Sequence, residues 1–250
     1  MVAAFYSDLE SCLSPERLAP FRDQNTDDLT TAVNYFWNVA LSQALYPSLS
    51  LLEVATRNRL HAFLTVHLGR PDWYDAPNFL QTRELTAITR AKNEIRDAGK
   101  RITPGRVVAA LMFGFWVSLL DALYGDSQKG PRLWGPFPSP QLTLVFPSAP
   151  AGYQPYRGRL HARLDDMRLL RNRISHYEPI WKGMSLPSRK KRTPPRLVTL
   201  HDLHAEVIET IGWLSPTMET TVATLDLFPM TEQKGRAGIE RRLKRQLGIL

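Results

Sequence analysis

The residues best suited to chemistry lie close together, in the stretch Arg171-Asn172-Arg173-Ile174-Ser175-His176. On a helix, Asn172 and His176 would share one face because they are four positions apart. Histidine titrates near neutrality and can move a proton, while arginine offers a fixed fork of donors to the charge that develops on a phosphorane. An arginine, an amide and a histidine so close together suit cleavage of RNA without a metal, since RNA carries its own nucleophile in the 2′-hydroxyl. A surface histidine near a core arginine is the alternative interpretation.

Two charged residues are predicted to face apolar surroundings. At 100° per residue, Arg171 projects within about 20° of the apolar stripe that Leu160 and Leu164 define. Glu53 falls in a second apolar stripe, with Arg57 one turn further along. Because a charge on a buried face needs a partner, we expect Glu53, Arg57 and Arg171 to form an ion network across helices. A salt bridge that only fixes helix register is the alternative.

The elements that must position these residues are predicted to be helices, because helical spacing recurs along the chain and sustained alternation is almost absent. The predicted fold class is therefore all-α, as a single-domain bundle. The predicted helices cover about 14–23, 26–46, 48–68, 80–99, 104–124, 157–178, 200–213 and 216–227. Pro47 is expected to separate the second from the third, with Ser48 as the next cap.

Two connections and a tail interrupt the predicted helices. Residues 125–158 hold seven Pro and five Gly, which predicts a long loop or inserted lid, with one short strand at 141–146. Residues 179–196 are expected to be a basic loop. The last segment, 231–250, is expected to be a basic tail, in the form of a frayed basic helix, that follows a helical domain over 1–230.

The charge is concentrated in the C-terminal part of the chain. Residues 151–250 hold 18 Lys and Arg against 10 Asp and Glu, which is the whole net charge of +8. Such a basic region favours a polyanionic partner, although a solvated basic face is the alternative. Candidate RNA-binding side chains in this region are Arg168, Arg173, Arg189, Lys190, Lys191 and Arg192.

The lone Cys12 excludes an internal disulfide, and the longest uncharged stretch, 107–120, is too short to span a bilayer. A cytoplasmic protein that does not enter a membrane is therefore expected.

Several segments together resemble the Abi-like (abortive infection) branch of the HEPN superfamily. Arg171-Asn172 followed after three residues by His176 matches the superfamily signature. The supporting segments, which cover roughly residues 13–215, are Leu13–Leu18, Tyr35–Asn38, Leu52–Asn58, Thr103–Val107 and Phe113–Trp116.

This resemblance implies a HEPN-type helical bundle and a metal-independent endoribonuclease of the phage-defence or toxin type. Arg171, Asn172 and His176 would be its catalytic residues, with Glu53, Arg57, Asn58 and Tyr177 in support. The expected product carries a 2′,3′-cyclic phosphate. No cofactor or metal is expected. The implied partners are RNA and a second copy in a homodimer, with an antitoxin protein as a further candidate. A non-catalytic RNA-binding or protein-interaction module is the alternative.

Other signals are weaker. His201 and His204 with Glu206 could suggest a metal site, but histidines three apart without further spaced ligands are more typical of a polar helix face. His61 follows Arg57 with a shorter spacing than the superfamily signature and is interpreted as structural support. A DNA-binding regulator is the third reading, and no clear helix-turn-helix pattern favours it.

Overall fold

The computed structural model describes residues 1–125, 133–135, 139–153, 156–188 and 193–249. It is mostly helical, which confirms the all-α prediction. The α-helices of the described residues are α1 (Val2–Leu13), α2 (Pro15–Leu18), α3 (Asp28–His67), α4 (Thr82–Asp97), α5 (Pro104–Ala110), α6 (Phe113–Ser118), α7 (Leu142–Val145), α8 (Arg157–Ser175), α9 (Leu200–Leu214), α10 (Pro216–Val222) and α11 (Phe228–Gln246). Within the described residues, no helix is both long and apolar enough to cross a lipid bilayer.

The predicted basic loop at 179–196 contains an unpredicted strand. Strand β1 (Met184–Leu186) pairs antiparallel with β2 (Arg196–Val198), with Met184 opposite Val198. The loop prediction is therefore wrong at β1, where alternate side chains Met184 and Leu186 are fully buried. The basic run 189–192 between the strands lies outside the described residues.

Two compact units emerge from the contacts of the chain, each assembled from separate segments. The first unit consists of Met1–Ser48, Leu170–His204 and Leu225–Leu250. The second unit consists of Leu49–Leu169 and Ala205–Thr224. Helices α3, α8 and α9 each contribute residues to both units.

The core of the first unit includes the end of the chain. A cluster of buried side chains joins α1, α2, α3 and α11: Tyr6, Leu18, Ala32, Val33 and Leu243. Ile239 and Leu247 pack against the same cluster. The basic helix predicted in 231–250 is therefore present in α11, but it packs against the core instead of fraying. A helix with many basic residues is held here by a few well-spaced apolar ones.

The second unit is built around aromatic side chains. The fully buried indole of Trp73 lies 5.9 Å from Trp116 and 6.0 Å from Phe79, between ring centroids. Phe63 stacks on Trp134 at 5.3 Å, and the Trp134 indole N–H donates to the Leu119 carbonyl. Edge-to-face and offset arrangements of this kind stabilise a core beyond the area they bury.

Three local predictions are wrong because side-chain packing outweighs local sequence signals such as proline and helix caps. Helix α3 continues through Pro47, and the Ser48 hydroxyl donates to the Leu45 carbonyl at 3.0 Å instead of capping a new helix. Its neighbours Leu45 and Leu49 are buried, which offsets the backbone hydrogen bond that proline removes. The predicted helix at 104–124 is interrupted at Leu111 and Met112, which are extended. The predicted strand at 141–146 is instead the short helix α7.

Candidate functional site at the end of helix α8

The predicted catalytic residues lie at the C-terminal end of α8, in the first unit. His176 is the residue directly after the helix, it is exposed, and its backbone N–H donates to the Asn172 carbonyl at 2.9 Å. Arg171 and Asn172 are half-buried, one turn earlier. The sequence therefore placed the imidazole correctly on the surface, whereas Arg171 is less buried than its position in the apolar stripe indicated.

The backbone after α8 forms a Schellman motif. Tyr177 has a φ of 57°, its N–H donates to the Ile174 carbonyl at 3.1 Å, and the N–H of Glu178 donates to the Arg173 carbonyl at 2.8 Å. These two bonds define the motif, whose left-handed position is usually glycine. Because the chain turns here, Tyr177 does not continue the helix and is 73% exposed. His176 is thereby fixed at the turn.

Side chains from elsewhere in the first unit hold the segment that follows. Buried Asn38 accepts hydrogen bonds from the backbone N–H groups of Ile180 at 2.7 Å and Trp181 at 3.2 Å, and its amide donates to the Glu178 carbonyl at 3.4 Å. Arg17 donates to the Tyr177 carbonyl at 3.0 Å. In the sequence, Asn38 stands out only as part of the segment Tyr35–Asn38 of the family resemblance. Like Asn34, it is a buried amide on α3, and an amide among apolar helical positions is the signal that could have revealed its role.

Of the four predicted supporting residues, Tyr177 lies in the first unit, while Glu53, Arg57 and Asn58 lie in the second unit. Glu53 and Arg57 are half-buried on α3, and Asn58 is exposed. The Arg57 guanidinium donates to the Asn58 side-chain oxygen at 3.4 Å. The predicted network joins these residues to Arg171 of the first unit, and it stays a prediction.

Two of the predicted RNA-binding arginines make contacts within the chain. Arg168 forms an ion pair with Asp165 at 2.7 Å. Arg173 donates to the Pro179 carbonyl at 3.2 Å and lies 3.7 Å from the Glu178 carboxylate. Arg173 thus also holds the turn that carries His176. The other four, Arg189, Lys190, Lys191 and Arg192, lie outside the described residues.

The histidines weighed as metal ligands each pair with a single carboxylate. His201 contacts Glu232 at 2.9 Å, which raises the pKa of the imidazole, and His204 contacts Asp226 at 2.8 Å. His204 also stacks on Phe228. Among the described residues, no group of three or more His, Cys, Asp or Glu side chains could hold a metal ion.

His61 accepts a hydrogen bond at Nδ1 from the Trp73 indole N–H, at 2.9 Å. Burial lowers the pKa of His61, in agreement with a neutral imidazole that accepts at this nitrogen. This contact gives His61 the supporting role that its spacing predicted.

A cavity of about 370 Å³ in the second unit, lined by several charged side chains, was not predicted from the sequence. At its wall, Glu84 is 1% exposed and accepts hydrogen bonds from Ser118 at 2.6 Å, Tyr124 at 2.7 Å and Arg83 at 2.7 Å. Burial raises the pKa of Glu84, but these three donors outweigh it and leave the pKa below the usual 4.5. A carboxylate so fully satisfied is structural.

A second buried charge in this unit is Arg163 on α8. Its guanidinium donates to the Thr210 hydroxyl at 2.7 Å, to the Glu206 carbonyl and to the Glu209 carboxylate, and lies 4.3 Å from the centre of the Trp213 ring. On α8, the strongly buried arginine is therefore Arg163.

Comparison of the whole chain with protein-family models, with curated proteins and with solved structures finds no match in any of the three.

Proposed function

We propose that this protein is a metal-independent endoribonuclease with Arg171, Asn172 and His176 as its catalytic residues. The observation that carries the proposal is the placement of His176. Its imidazole is exposed to solvent, yet its backbone is fixed by the last turn of α8 and the Schellman motif. A general base must be both accessible to substrate and held in position, and this turn provides both.

The proposed reaction is a transesterification within the RNA strand. His176 takes the proton of a 2′-hydroxyl as its oxygen forms a bond to the adjacent phosphorus. The bond from phosphorus to the 5′-oxygen breaks, and that oxygen takes up a proton from water. Arg171 stabilises the charge on the pentacoordinate phosphorus, while Asn172 orients the phosphate or the imidazole. The products are a 2′,3′-cyclic phosphate and a free 5′-hydroxyl.

We add to this proposal two features that the family resemblance implies: a role in phage defence and assembly into a homodimer. In such a dimer, the His176 residues of two chains would converge on one RNA strand. If the protein acts as a toxin, its expression in a bacterial host slows growth and expression of the His176→Ala variant does not. An antitoxin partner would reverse the effect of the wild type.

The direct test uses the purified full chain, a chelator and two substrates of one sequence. RNA is expected to be cut to products with 2′,3′-cyclic phosphate ends, and DNA to remain intact because it lacks the attacking hydroxyl. Cleavage that depends on added Mg²⁺, or that proceeds equally on DNA, would contradict the mechanism. Binding of RNA with no cleavage under any condition would favour the non-catalytic RNA-binding module.

A further inference from the structure

Two cavities of the first unit lie next to each other on α3. One has a volume of about 540 Å³ and is lined by Tyr35, Tyr46, Ile174, Ser175 and Tyr177, among others. Since Ser175 and Tyr177 flank His176, this tyrosine cavity adjoins the proposed catalytic residue. The other has a volume of about 210 Å³ and lies between α3 and α11.

The second cavity is cationic and partly aromatic. Its walls are formed by α3, through Trp37 and Gln43, and by α11, through Lys234, Ile239 and Arg242. Gln43 also lines the tyrosine cavity, so the two share one wall. At 100° per residue, Gln43 lies between the two cavity faces of α3, and a ligand that crosses this side chain would reach both.

The charges of the two cavities favour an anion. Lys234 and Arg242 are exposed, and within the described residues neither has an ion-pair partner. No acidic side chain is among the described residues that line either cavity. By contrast, the neighbouring Lys244 is paired with Glu240 at 2.7 Å. Both cations that line the cavity are thus without an ion-pair partner among the described residues.

The tyrosine cavity presents aromatic side chains that the fold does not cover. Tyr46 and Tyr177 are both exposed, and Tyr177 occupies a left-handed position that a bulky residue rarely adopts. Stability alone would favour glycine there. An exposed, conformationally costly tyrosine beside His176 therefore points to a ligand that uses its ring.

We propose that these two cavities form one binding groove for single-stranded RNA. An unpaired base stacks on Tyr46 and Tyr177 beside His176, and the backbone crosses Gln43 so that a neighbouring phosphate meets Lys234 and Arg242. Aromatic faces accept any unstacked base, whereas a duplex keeps its bases stacked. The inference rests on the proposed function for the identity of its ligand. It assigns a substrate role to α11, which lies outside the region of family resemblance.

The test measures binding separately from cleavage. Its probe is a single-stranded 2′-O-methyl RNA of about twelve nucleotides, which lacks a free 2′-hydroxyl and stays intact whatever the activity. Binding to the full chain is followed by fluorescence anisotropy at several salt concentrations. The variant Lys234→Ala/Arg242→Ala removes the cavity cations. The matched control, Arg241→Ala/Arg245→Ala, removes two exposed charges of the same helix that line neither cavity.

The cavity variant is expected to bind more weakly, and its dependence of log K on log salt is expected to flatten by about 0.7, the value for one lost phosphate contact on a single strand. The control should keep a slope close to that of the wild type. Equal flattening in both variants would overturn the assignment, because it would indicate a diffuse basic surface.

The proposed stacking of a base in the tyrosine cavity is tested by comparing Tyr46→Ala with Tyr46→Phe. Loss of the ring is expected to weaken binding roughly 5- to 150-fold, while phenylalanine keeps the affinity. Unchanged binding in Tyr46→Ala, or duplex binding as tight as that of the single strand, would overturn the proposal. A change in oligomeric mass of Tyr46→Ala, measured by sedimentation with no change in RNA binding, would assign the groove to a second copy and equally overturn it.

The experiments distinguish failure of the binding groove from failure of the nuclease proposal. RNA cleavage by a wild type whose groove variants bind the probe normally would overturn the groove and leave the nuclease standing. Binding of the probe through the groove by a protein that never cuts RNA would support the groove and refute the nuclease.

Discussion

Polar side chains are used in opposite ways at the Glu84 cluster of the second unit and at the end of α8 in the first. Glu84 is buried, accepts three hydrogen bonds and has a lowered pKa. His176 is exposed, and what is fixed around it is the backbone. A buried charge is tolerated only with its partners in place, whereas a reactive group must keep its side chain free for a substrate. The comparison teaches that burial of charge alone does not identify a functional site.

The largest expected effect comes from removing exposed His176 at the end of α8. His176→Ala should reduce RNA cleavage by about 10²–10⁴-fold, because it removes the general base. Its free energy of unfolding should change by less than about 0.5 kcal/mol, since the side chain is exposed. Cleavage assays in a chelator and urea unfolding measure the two quantities.

His201→Ala is the matched control for this variant, because His201 is also an exposed histidine and pairs only with Glu232. It should cut RNA at the rate of the wild type. Full activity in His176→Ala would refute the catalytic assignment.

The structural role of the buried Glu84 carboxylate is tested by Glu84→Ala. Removal of the carboxylate leaves the Tyr124 hydroxyl without its acceptor, whereas the Ser118 hydroxyl retains the Phe115 carbonyl, and a hydrogen bond to a charged group contributes about 1.5–3 kcal/mol. We expect a loss of about 3 kcal/mol in the free energy of unfolding, measured by urea denaturation. Glu94→Ala on the same helix removes an exposed pair with Arg90 and should cost about 0.3–0.5 kcal/mol. Equal costs for the two variants would contradict a structural role for Glu84.

The pH dependence of stability should report the same carboxylate. Because the pKa of Glu84 is lower in the folded protein than the usual 4.5, the unfolded chain binds the proton more readily. Its contribution to stability is present above pH 4.5 and is lost as the pH falls through the lower pKa of the folded state. In unfolding measured between pH 7 and pH 3, Glu84→Gln should show a shallower acid loss than the wild type. If the free energy of unfolding falls equally with pH in the two proteins, groups other than Glu84 determine the acid dependence of stability.

The smallest expected effect concerns the turn at Tyr177. Tyr177→Gly should raise the free energy of unfolding by roughly 0.5–1 kcal/mol, because glycine adopts the left-handed position without the steric cost. Thermal or urea unfolding measures the gain, and Tyr46→Ala, which changes an exposed tyrosine of ordinary helical geometry, should stay within about 0.5 kcal/mol. A Tyr177→Gly protein that is both more stable and weaker in RNA binding would support a functional reason for the tyrosine. A loss of stability would argue against strain at this position.

The sequence by itself determined the helical class, most helix positions and the surface location of His176. Periodic apolar residues and local caps such as Ser14 and Thr103 act within a few residues, so they can be read without the fold. Only tertiary packing decided that α3 passes through Pro47 and that α11 is anchored by Leu243. It also decided which charges are buried, among them Glu84 and Arg163, most of whose partners are distant in sequence, rather than Arg171. Local signals reflect the chain's own backbone, whereas the burial and pairing of a charge depend on segments that only the fold brings together.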